Sequence, residues 1–289
     1  MFAQTLTDFE VIIVNDGSPD EDELDRALAP YLKRVRYLRQ ENRGAGAARN
    51  RAVREAHGEF VAFLDGDDLW MPDYLEKQLG FMRAGGYDLS YADARLFGDS
   101  PVAGKTFMAT APSRGPVTFL SLVRNECNVI TSGVVARRVA LVEAGLFEES
   151  LRNAQDFELW TRLARRGARL AYQRKVLLRY RCRENSLSGD IMNQLAREMR
   201  VYRHIADTYD LTEMERAELA RVMELQRGNL ELAEGKLRLL RGRFDEARTS
   251  LERAHSVLGG WKLRAAVVLV RVAPRLLRRL AERRLRTQP

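Results

Sequence analysis

The first half of the chain alternates short apolar runs with stretches whose apolar residues recur at helical spacing. The short runs predict strands at residues 9–14, 35–38 and 60–64. The periodic stretches between them predict helices at residues 23–32 and 45–57. Strands that alternate with helices in this way are typical of βαβ units and a parallel sheet.

The second half begins with a less regular region and ends in a long helical one. Strands are predicted at residues 85–97, 129–135 and 170–180, with a loop at 98–116 and a helix at 156–166. Pro72 is expected in the first turn of a helix, where its missing N–H costs nothing. The sequence therefore predicts an α/β fold with an α-helical C-terminal extension.

The chain is accordingly divided into an α/β domain at 1–188, a helical extension at 189–260 and a basic amphipathic tail at 261–289. Within the extension, small and apolar residues have the spacing of one tetratricopeptide-like hairpin, in which small residues let two helices approach closely. These residues are Gly235, Gly242, Phe244, Ala247, Leu251 and Ala254. One such unit is short of the roughly three that a self-standing solenoid needs.

The tail holds the whole net charge of +8, because it contains nine Lys or Arg and one acid, Glu282. Its apolar residues recur near helical spacing at Leu263, Val267, Val270, Leu277 and Leu280, and Pro274 is expected to interrupt the helix. A basic amphipathic helix of this kind predicts that residues 261–286 lie on an anionic membrane surface. A helix packed on the protein's own body is the alternative. Nucleic acid is not an expected partner, because stacking aromatic residues are nearly missing.

The two cysteines, Cys127 and Cys182, are far apart and have no metal-ligand spacing around them. Neither a disulfide framework nor a zinc site is expected. No apolar run reaches the roughly 18 residues that a membrane span needs. These features predict a cytoplasmic protein, with peripheral attachment at the inner membrane face through the tail.

Three polar clusters stand at the ends of predicted strands or at the start of a helix. They are residues 15–18, the acids in 65–68, and Gln155 with Asp156. The carboxyl ends of the strands in an α/β sheet are where ligands bind. Asp65, Asp67 and Asp68 would repel one another in a closed pocket unless a divalent cation neutralised them. Because Mg²⁺ or Mn²⁺ takes one or two protein carboxylates plus phosphate oxygens, Asp67 is expected to bind metal while Asp65 faces a ribose.

Six segments of the chain, over residues 2–188, resemble those of family 2 glycosyltransferases of the GT-A fold in order and in approximate spacing. They are FEVIIVNDGSPD, QENRGAGAARN, FVAFLDGDDLW, TSGVVARR, AQDFELWTRLARRG and YRCRENSLS. Members of that family begin with a further strand, and no matching segment precedes Phe2. The first domain is therefore expected to be N-terminally incomplete.

The resemblance implies a role for each matching residue. Asp16 corresponds to an acid that contacts the nucleobase, and Arg49 to an arginine on the donor side of the pocket. Asp65 and Asp67 correspond to the two acids of a metal-binding DxD motif. Asp156 corresponds to the catalytic base, and a carboxylate is suited to take the proton of an acceptor hydroxyl in the transition state.

Simpler structural roles stay open for three of these residues. Asp16 could start a turn with Gly17, Arg49 could be an exposed helix residue, and Asp156 could cap the helix that follows it. Arg183 stands where relatives often carry a histidine near the metal and the diphosphate. An arginine cannot ligate a metal, but it can pair with a donor phosphate.

The implied function is transfer of a sugar, with inversion, from a nucleoside-diphosphate sugar to an acceptor hydroxyl. A UDP-sugar is the expected donor, a glycan or lipid-linked molecule the expected acceptor, and cell-surface polysaccharide or glycolipid synthesis the expected setting. One alternative is an NAD-dependent oxidoreductase, because residues 44–48 resemble a dinucleotide fingerprint with Asp65 downstream. The other is a non-catalytic helical interaction protein, and the tetratricopeptide-like hairpin supports this alternative.

Overall fold

A computed structural model of the protein describes residues 1–182 and 191–287, with side chains described except at 191, 193 and 283–287. The chain divides into two compact units, residues 1–182 and residues 183–289. The first unit mixes strands and helices, and the described part of the second is helical. The predicted α/β region and the predicted helical extension are thus both present.

Seven strands and seven α-helices build the described part of the first unit. The strands are β1 Ile12–Asp16, β2 Arg36–Gln40, β3 Phe60–Ala62, β4 Leu69–Trp70, β5 Leu89–Phe97, β6 Val134–Arg137 and β7 Leu170–Arg181. The helices are α1 Glu21–Leu28, α2 Ala45–Glu55, α3 Tyr74–Gly85, α4 Phe107–Thr110, α5 Phe119–Val123, α6 Arg138–Glu143 and α7 Gln155–Arg165.

The strands form two sheets, and only part of the pairing is parallel. Strands β1 and β2 pair in parallel, and the larger sheet has the order β3-β6-β5-β7-β4. In the larger sheet β5 and β7 are parallel, whereas the other three pairings are antiparallel. The prediction of a wholly parallel sheet is therefore wrong. Strands β5 and β6 are buried along most of their length, so their apolar runs read like those of parallel strands.

Strand β5 is covered on both faces, which fixes the two helices that border the site. Leu89 and Tyr91 belong to one core, which includes Trp160 of α7. Ala92 and Ala94 belong to a second core, together with the α3 residues Tyr74, Leu75 and Met82. Burying each large side chain stabilises the fold by about 1.5–3 kcal/mol. The position of α7 against the sheet is therefore set by packing.

Three predicted elements differ from the structure for local reasons. Pro72 lies before α3 rather than in its first turn, because Asp73 is the N-cap residue. The strand predicted at 129–135 begins only at Val134, since Thr131–Gly133 form a 3-10 turn. The loop predicted at 98–116 contains the short helix α4, which the Thr106 side chain caps by accepting from the backbone N–H of Ala109.

The second unit contains five helices in its described part. They are α8 Ile191–Thr208, α9 Glu213–Leu240, α10 Phe244–Leu258, α11 Trp261–Val272 and α12 Pro274–Thr287. Helices α9 and α10 form a hairpin around a left-handed Gly242 (φ +76°). A Cβ on Gly235 would lie 3.0 Å from the Leu251 side chain, which confirms that this glycine permits close helix approach.

The tail forms two helices, and its apolar stripe faces inward. Helix α11 ends at Val272 and Pro274 begins α12, which confirms the predicted interruption. Leu263, Val267, Val270 and Leu277 pack into the core that α9 and α10 share with the tail. These four residues therefore face the core of the second unit, so the assignment of this stripe to the exposed side of the tail is wrong, while attachment of the tail to a membrane stays a prediction. Among the described residues, no helix is both long enough and apolar enough to cross a bilayer.

Candidate active site

Asp16, the last residue of β1, organises the loop between β2 and α2. Its Oδ1 accepts hydrogen bonds from Gln40 Nε2 (2.7 Å) and from the backbone N–H of Arg43 (2.9 Å). Its Oδ2 accepts one from the backbone N–H of Gly44 (2.7 Å). The carboxylate thus satisfies amides that precede α2, where a negative charge is favourable.

The turn after β1 depends on Asn15 and Gly17 rather than on Asp16. Asn15 Oδ1 accepts a hydrogen bond from the backbone N–H of Ser18 at 2.8 Å. Gly17 has a φ of +69°, and a Cβ there would lie 2.9 Å from the backbone nitrogen of Asn42. Because only glycine fits this close approach, the turn brings the residues after β1 against the β2–α2 loop.

Arg49 of α2 is held in an ion pair with Asp65, the first acid after β3. Arg49 Nη2 lies 2.6 Å from Asp65 Oδ1, and the Arg49 side chain is only 17% exposed. Its guanidinium also lies 5.7 Å from the centre of the Phe147 ring. The alternative that Arg49 is an exposed helix residue is therefore wrong. The structure brings together two residues that the sequence assigned to donor binding.

The acids of the segment 65–68 have different environments. Asp68 is buried, and its Oδ1 accepts a hydrogen bond from the backbone N–H of Arg181 at 2.8 Å. Burial, followed by the charges of Asp67 and Asp65, raises the pKa of Asp68 to about 6. Asp67 is exposed, and its backbone carbonyl accepts from Arg181 Nε at 3.1 Å. Asp68 thus anchors the loop while the Asp67 carboxylate faces solvent.

This arrangement limits how a divalent cation could be held. Within the described part of the chain, no three His, Cys, Asp or Glu side chains are grouped as ligands. Asp65 is already paired with Arg49, and Asp68 is bonded to β7. The Asp67 carboxylate, which has no hydrogen-bond or ion-pair partner among the described residues, supplies a hard oxygen donor. The residues fit an Mg²⁺ or Mn²⁺ ion that takes one protein carboxylate and completes its shell with phosphate oxygens and water.

The 3-10 turn Thr131–Gly133 joins the two acidic parts of the site. Thr131 Oγ1 donates to Asp156 Oδ2 at 2.6 Å, and Ser132 Oγ accepts from the backbone N–H of Asp65 at 3.1 Å. The Ser132 carbonyl accepts from Trp70 Nε1 at 2.7 Å. Sequence reasoning gave Thr131 and Ser132 no role, and the segment TSGVVARR that contains them was the signal that could have found them.

Asp156 is the second residue of α7. The N-cap residue is Ala154, with a φ of 55°, so the alternative that Asp156 caps the helix is wrong. Asp156 Oδ1 accepts from the backbone N–H of Phe157 at 2.8 Å. A negative charge at this position interacts favourably with the positive end of the helix dipole. A Cβ on Gly46 of α2 would lie 3.3 Å from Gln155 Cγ, so this glycine lets α2 approach the start of α7.

Tyr180, near the end of β7, is a partly buried residue that sequence reasoning did not single out. Burial raises the pKa of the Tyr180 hydroxyl, and the charges of Asp68 and Asp65 act in the same direction. The charge of Asp156 acts in the same direction, and the Tyr180 ring packs against the core that α3 shares with the sheet. No signal in the sequence separates Tyr180 from other strand residues. Arg183, predicted to contact the donor phosphate, lies outside the described residues.

Comparison with known proteins places this site in a family. Residues 1–141 match the model of glycosyl transferase family 2. The chain is 31% identical over 203 residues to the putative teichuronic acid biosynthesis glycosyltransferase TuaG of Bacillus subtilis, covering 68% of this chain and 77% of TuaG. It is 28% identical over 197 residues to the Escherichia coli UDP-Glc:alpha-D-GlcNAc-diphosphoundecaprenol beta-1,3-glucosyltransferase WfgD, covering 68% and 74%.

Other relatives are longer than this chain. An uncharacterized glycosyltransferase of Rickettsia conorii is 30% identical over 165 residues, which are 57% of this chain and 27% of that protein. The chain thus spans about a quarter of the length of this relative, and of a second one from Rickettsia felis.

Two solved structures show the fold. S. aureus TarS 1–349 in complex with UDP-GlcNAc has a TM-score of 0.59 at 21% identity, covering 98% of this chain and 85% of that one. The mannosyltransferase PcManGT of Pyrobaculum calidifontis, in complex with GDP-Man and Mn²⁺, has a TM-score of 0.60 at 16% identity, covering 97% and 77%. The fold is that expected from the sequence, GT-A with a helical C-terminal region, and the chain belongs to glycosyl transferase family 2.

Proposed function

We propose that the protein is an inverting glycosyltransferase that moves a sugar from a nucleoside-diphosphate sugar to an acceptor hydroxyl. One observation carries the proposal most directly. The adjacent residues Thr131 and Ser132 hold Asp156 on one side and the backbone of Asp65 on the other. A carboxylate able to act as a base is thereby fixed beside the acids expected to bind the donor.

In the proposed reaction the acceptor oxygen forms a bond to the anomeric carbon as the bond from that carbon to the diphosphate oxygen breaks. The leaving diphosphate takes the electron pair, and Asp156 takes the acceptor proton. Its Oδ2 is oriented by Thr131 and its Oδ1 by the Phe157 amide. Attack from the face opposite the leaving group inverts the anomeric carbon.

The donor side of the site is proposed to use Asp16, Arg49, Asp65 and Asp67, with Arg183 as a further phosphate contact. Asp67 would hold Mg²⁺ or Mn²⁺, and a bound cation offsets the negative charge that develops on the departing diphosphate. Arg49 and Asp65 neutralise each other at 2.6 Å in the structure. Donor binding would redirect the Asp65 carboxylate to the ribose and leave the guanidinium available to the diphosphate.

The donor is proposed to be a UDP-sugar, and the acceptor a glycan or a lipid-linked sugar. TarS is solved with UDP and with UDP-GlcNAc, and WfgD carries UDP-Glc and a diphosphoundecaprenol acceptor in its name. TuaG is named for teichuronic acid biosynthesis. These names support synthesis of a cell-surface polysaccharide or glycolipid. Transfer is proposed to take place in the cytoplasm, with peripheral attachment to the inner membrane face through residues 261–286.

The dinucleotide-binding alternative conflicts with the loop before α2. In a dinucleotide site the amides at the helix N-terminus bind the pyrophosphate. Here the backbone N–H groups of Arg43 and Gly44 donate to Asp16 instead. The non-catalytic alternative leaves the connection between Asp65, Thr131 and Asp156 without a purpose.

The proposal is tested by incubating the protein and Mn²⁺ with a panel of UDP- and GDP-sugars and measuring nucleotide-dependent stabilisation of the fold. Turnover is then measured with the donors that bind, on polyprenyl-diphosphate sugar acceptors. We expect a UDP-sugar to raise the melting temperature and to be consumed with release of UDP. Stabilisation by NAD and by no nucleotide sugar would overturn the proposal, and so would donor binding without transfer to any glycan or lipid-linked acceptor.

A further inference from the structure

The outward face of α11 and α12 carries a second apolar stripe, distinct from the one packed on α9 and α10. On α11 the stripe follows positions i, i+7 and i+11, at Trp261, Val268 and Val272, and on α12 Leu276 and Leu280 are exposed one turn apart. Trp261 is 76% exposed and Val272 is 73% exposed. Both faces of α11 are therefore apolar, but only one of them is covered within the second unit.

Cations that form no ion pair within the described part of the chain flank this exposed stripe. Lys262 and Arg264 lie beside it on α11, and Arg275 and Arg279 lie beside it on α12. None of the four forms an ion pair with a residue that the structure describes, whereas Arg271 pairs with Glu252 and Arg278 with Glu282. The acids near the tail are thus already neutralised. The stripe presents apolar side chains and uncompensated positive charge together.

We propose that this exposed face, formed by Trp261, Val268, Val272, Leu276 and Leu280 with its four flanking cations, binds the surface of an anionic lipid bilayer. An apolar stripe bordered by Lys and Arg suits the boundary between headgroups and acyl chains. Tryptophan favours that boundary because its ring is apolar and its N–H is polar. A protein partner would be expected to offer acids to the cations and an apolar surface to the stripe, whereas an anionic bilayer supplies both over any area.

This face belongs to the proposed function's membrane attachment, on which it rests, but it is the side of the tail opposite to the one that the sequence predicts. The inward residues Leu263, Val267, Val270 and Leu277 anchor the tail to α9 and α10. The outward residues take no part in that packing and are exposed, so they are available to contact lipid. The tail therefore presents its outward residues from helices that are already packed in the second unit, so less ordering entropy is lost on binding than for an unfolded segment.

The experiment is co-sedimentation of the full chain with vesicles of equal parts phosphatidylglycerol and phosphatidylcholine at low salt. Binding is expected, with loss on vesicles of phosphatidylcholine alone and weakening as salt rises. The double variant Trp261→Ser with Val272→Ser is expected to bind the anionic vesicles at least about tenfold more weakly than wild type. Its matched control, Val139→Ser with Met214→Ser, removes two exposed apolar side chains elsewhere and is expected to bind like wild type.

A second set of variants tests whether vesicle binding depends on the position of the cations or only on the net charge of the protein. Arg264→Gln, Arg275→Gln and Arg279→Gln together are expected to weaken binding about a hundredfold, at about fivefold for each cation. Arg200→Gln, Arg216→Gln and Lys236→Gln remove the same charge from exposed positions on α8 and α9, and are expected to have little effect. All substituted side chains are exposed, so circular dichroism melting curves are expected to coincide with that of wild type.

Equal vesicle binding by the tail variants and their controls would overturn the proposal, as would the absence of binding to anionic vesicles at low salt. Light scattering tests the rival occupant. A dimer that Trp261→Ser with Val272→Ser converts to monomer, without vesicle binding by either form, would make this face a contact between copies of the chain. Vesicle binding is measured without substrate, so its failure is distinguishable from a failure of glycosyl transfer.

Discussion

Thr131 Oγ1 donates a hydrogen bond of 2.6 Å to Asp156 Oδ2, and the next residue, Ser132, accepts one from the backbone N–H of Asp65. Two consecutive residues of one 3-10 turn therefore fix the spacing between the proposed base and the proposed donor acids. The turn is itself held in place by two side chains: the Ser132 carbonyl accepts a hydrogen bond from Trp70 Nε1, and the Gly133 carbonyl accepts one from Gln78 Nε2. The site is thereby linked to the core around α3.

Thr131→Val is expected to lower kcat by about tenfold to a hundredfold, because a misplaced catalytic group loses much of its effect. Donor affinity, measured by calorimetry with UDP, is expected to stay within about twofold, since Thr131 contacts the base and not the donor acids. Thr131→Ser keeps the hydroxyl and is expected to restore most activity. Thr161→Val is the control, because that buried hydroxyl donates to the Glu158 carbonyl within α7. Equal loss in Thr131→Ser and Thr131→Val would contradict a positioning role.

Asp67→Asn and Asp156→Asn are expected to separate donor binding from chemistry. Asp67→Asn removes the free hard oxygen and is expected to weaken Mn²⁺-dependent UDP binding by about tenfold or more. Asp156→Asn is expected to leave that binding near normal and to lower kcat by about 10²–10⁴. Calorimetry and a transfer assay check the two expectations. Equal donor affinity in wild type and Asp67→Asn, with metal present, would rule out the metal assignment.

Gly17→Ala is expected to destabilise the first unit by roughly 1–3 kcal/mol and to reduce UDP affinity, because the new Cβ meets the Asn42 backbone at 2.9 Å. The matched control is Gly115→Ala. Gly115 has a similar φ of +72° and no neighbour within 4 Å of the new Cβ, so it carries the backbone strain without the clash. Urea unfolding and calorimetry measure both effects. Identical losses in the two variants would show that the close approach to Asn42 is unimportant.

Asp68 predicts a pH dependence of stability. Its pKa in the folded protein, about 6, lies above the ordinary value of 3.8, so the folded state favours the protonated carboxyl. Protonation of Asp68 therefore raises the free energy of unfolding. This contribution, about 3 kcal/mol at most, is present below about pH 4 and is lost as pH rises through about 6. Asp68→Asn is expected to flatten this dependence, because the amide has no charge to desolvate. Urea unfolding of metal-free protein in EDTA, followed by tryptophan fluorescence, provides the measurement, and parallel curves for the two proteins would contradict it.

The sequence by itself determined the class of fold and pointed to the acids of the candidate site. An apolar strand that ends in Asp16, and another that leads into Asp65 and Asp67, are local patterns that survive in the structure. The interruption at Pro274 is equally local, because proline cannot continue a helix but fits its first position. Such features depend on residues that are neighbours in the chain, so periodicity and residue type report them.

Only the tertiary structure decided the partners of those residues. The ion pair of Arg49 with Asp65 and the bond of Thr131 to Asp156 join residues 16 and 25 positions apart. Strand direction in the larger sheet was hidden in the same way, since burial on both faces gives parallel and antiparallel strands the same apolar pattern. In α11 both faces are apolar, and periodicity cannot say which one is covered. Packing against α9 and α10 decides it, because those helices bury Val270 and leave Trp261 exposed.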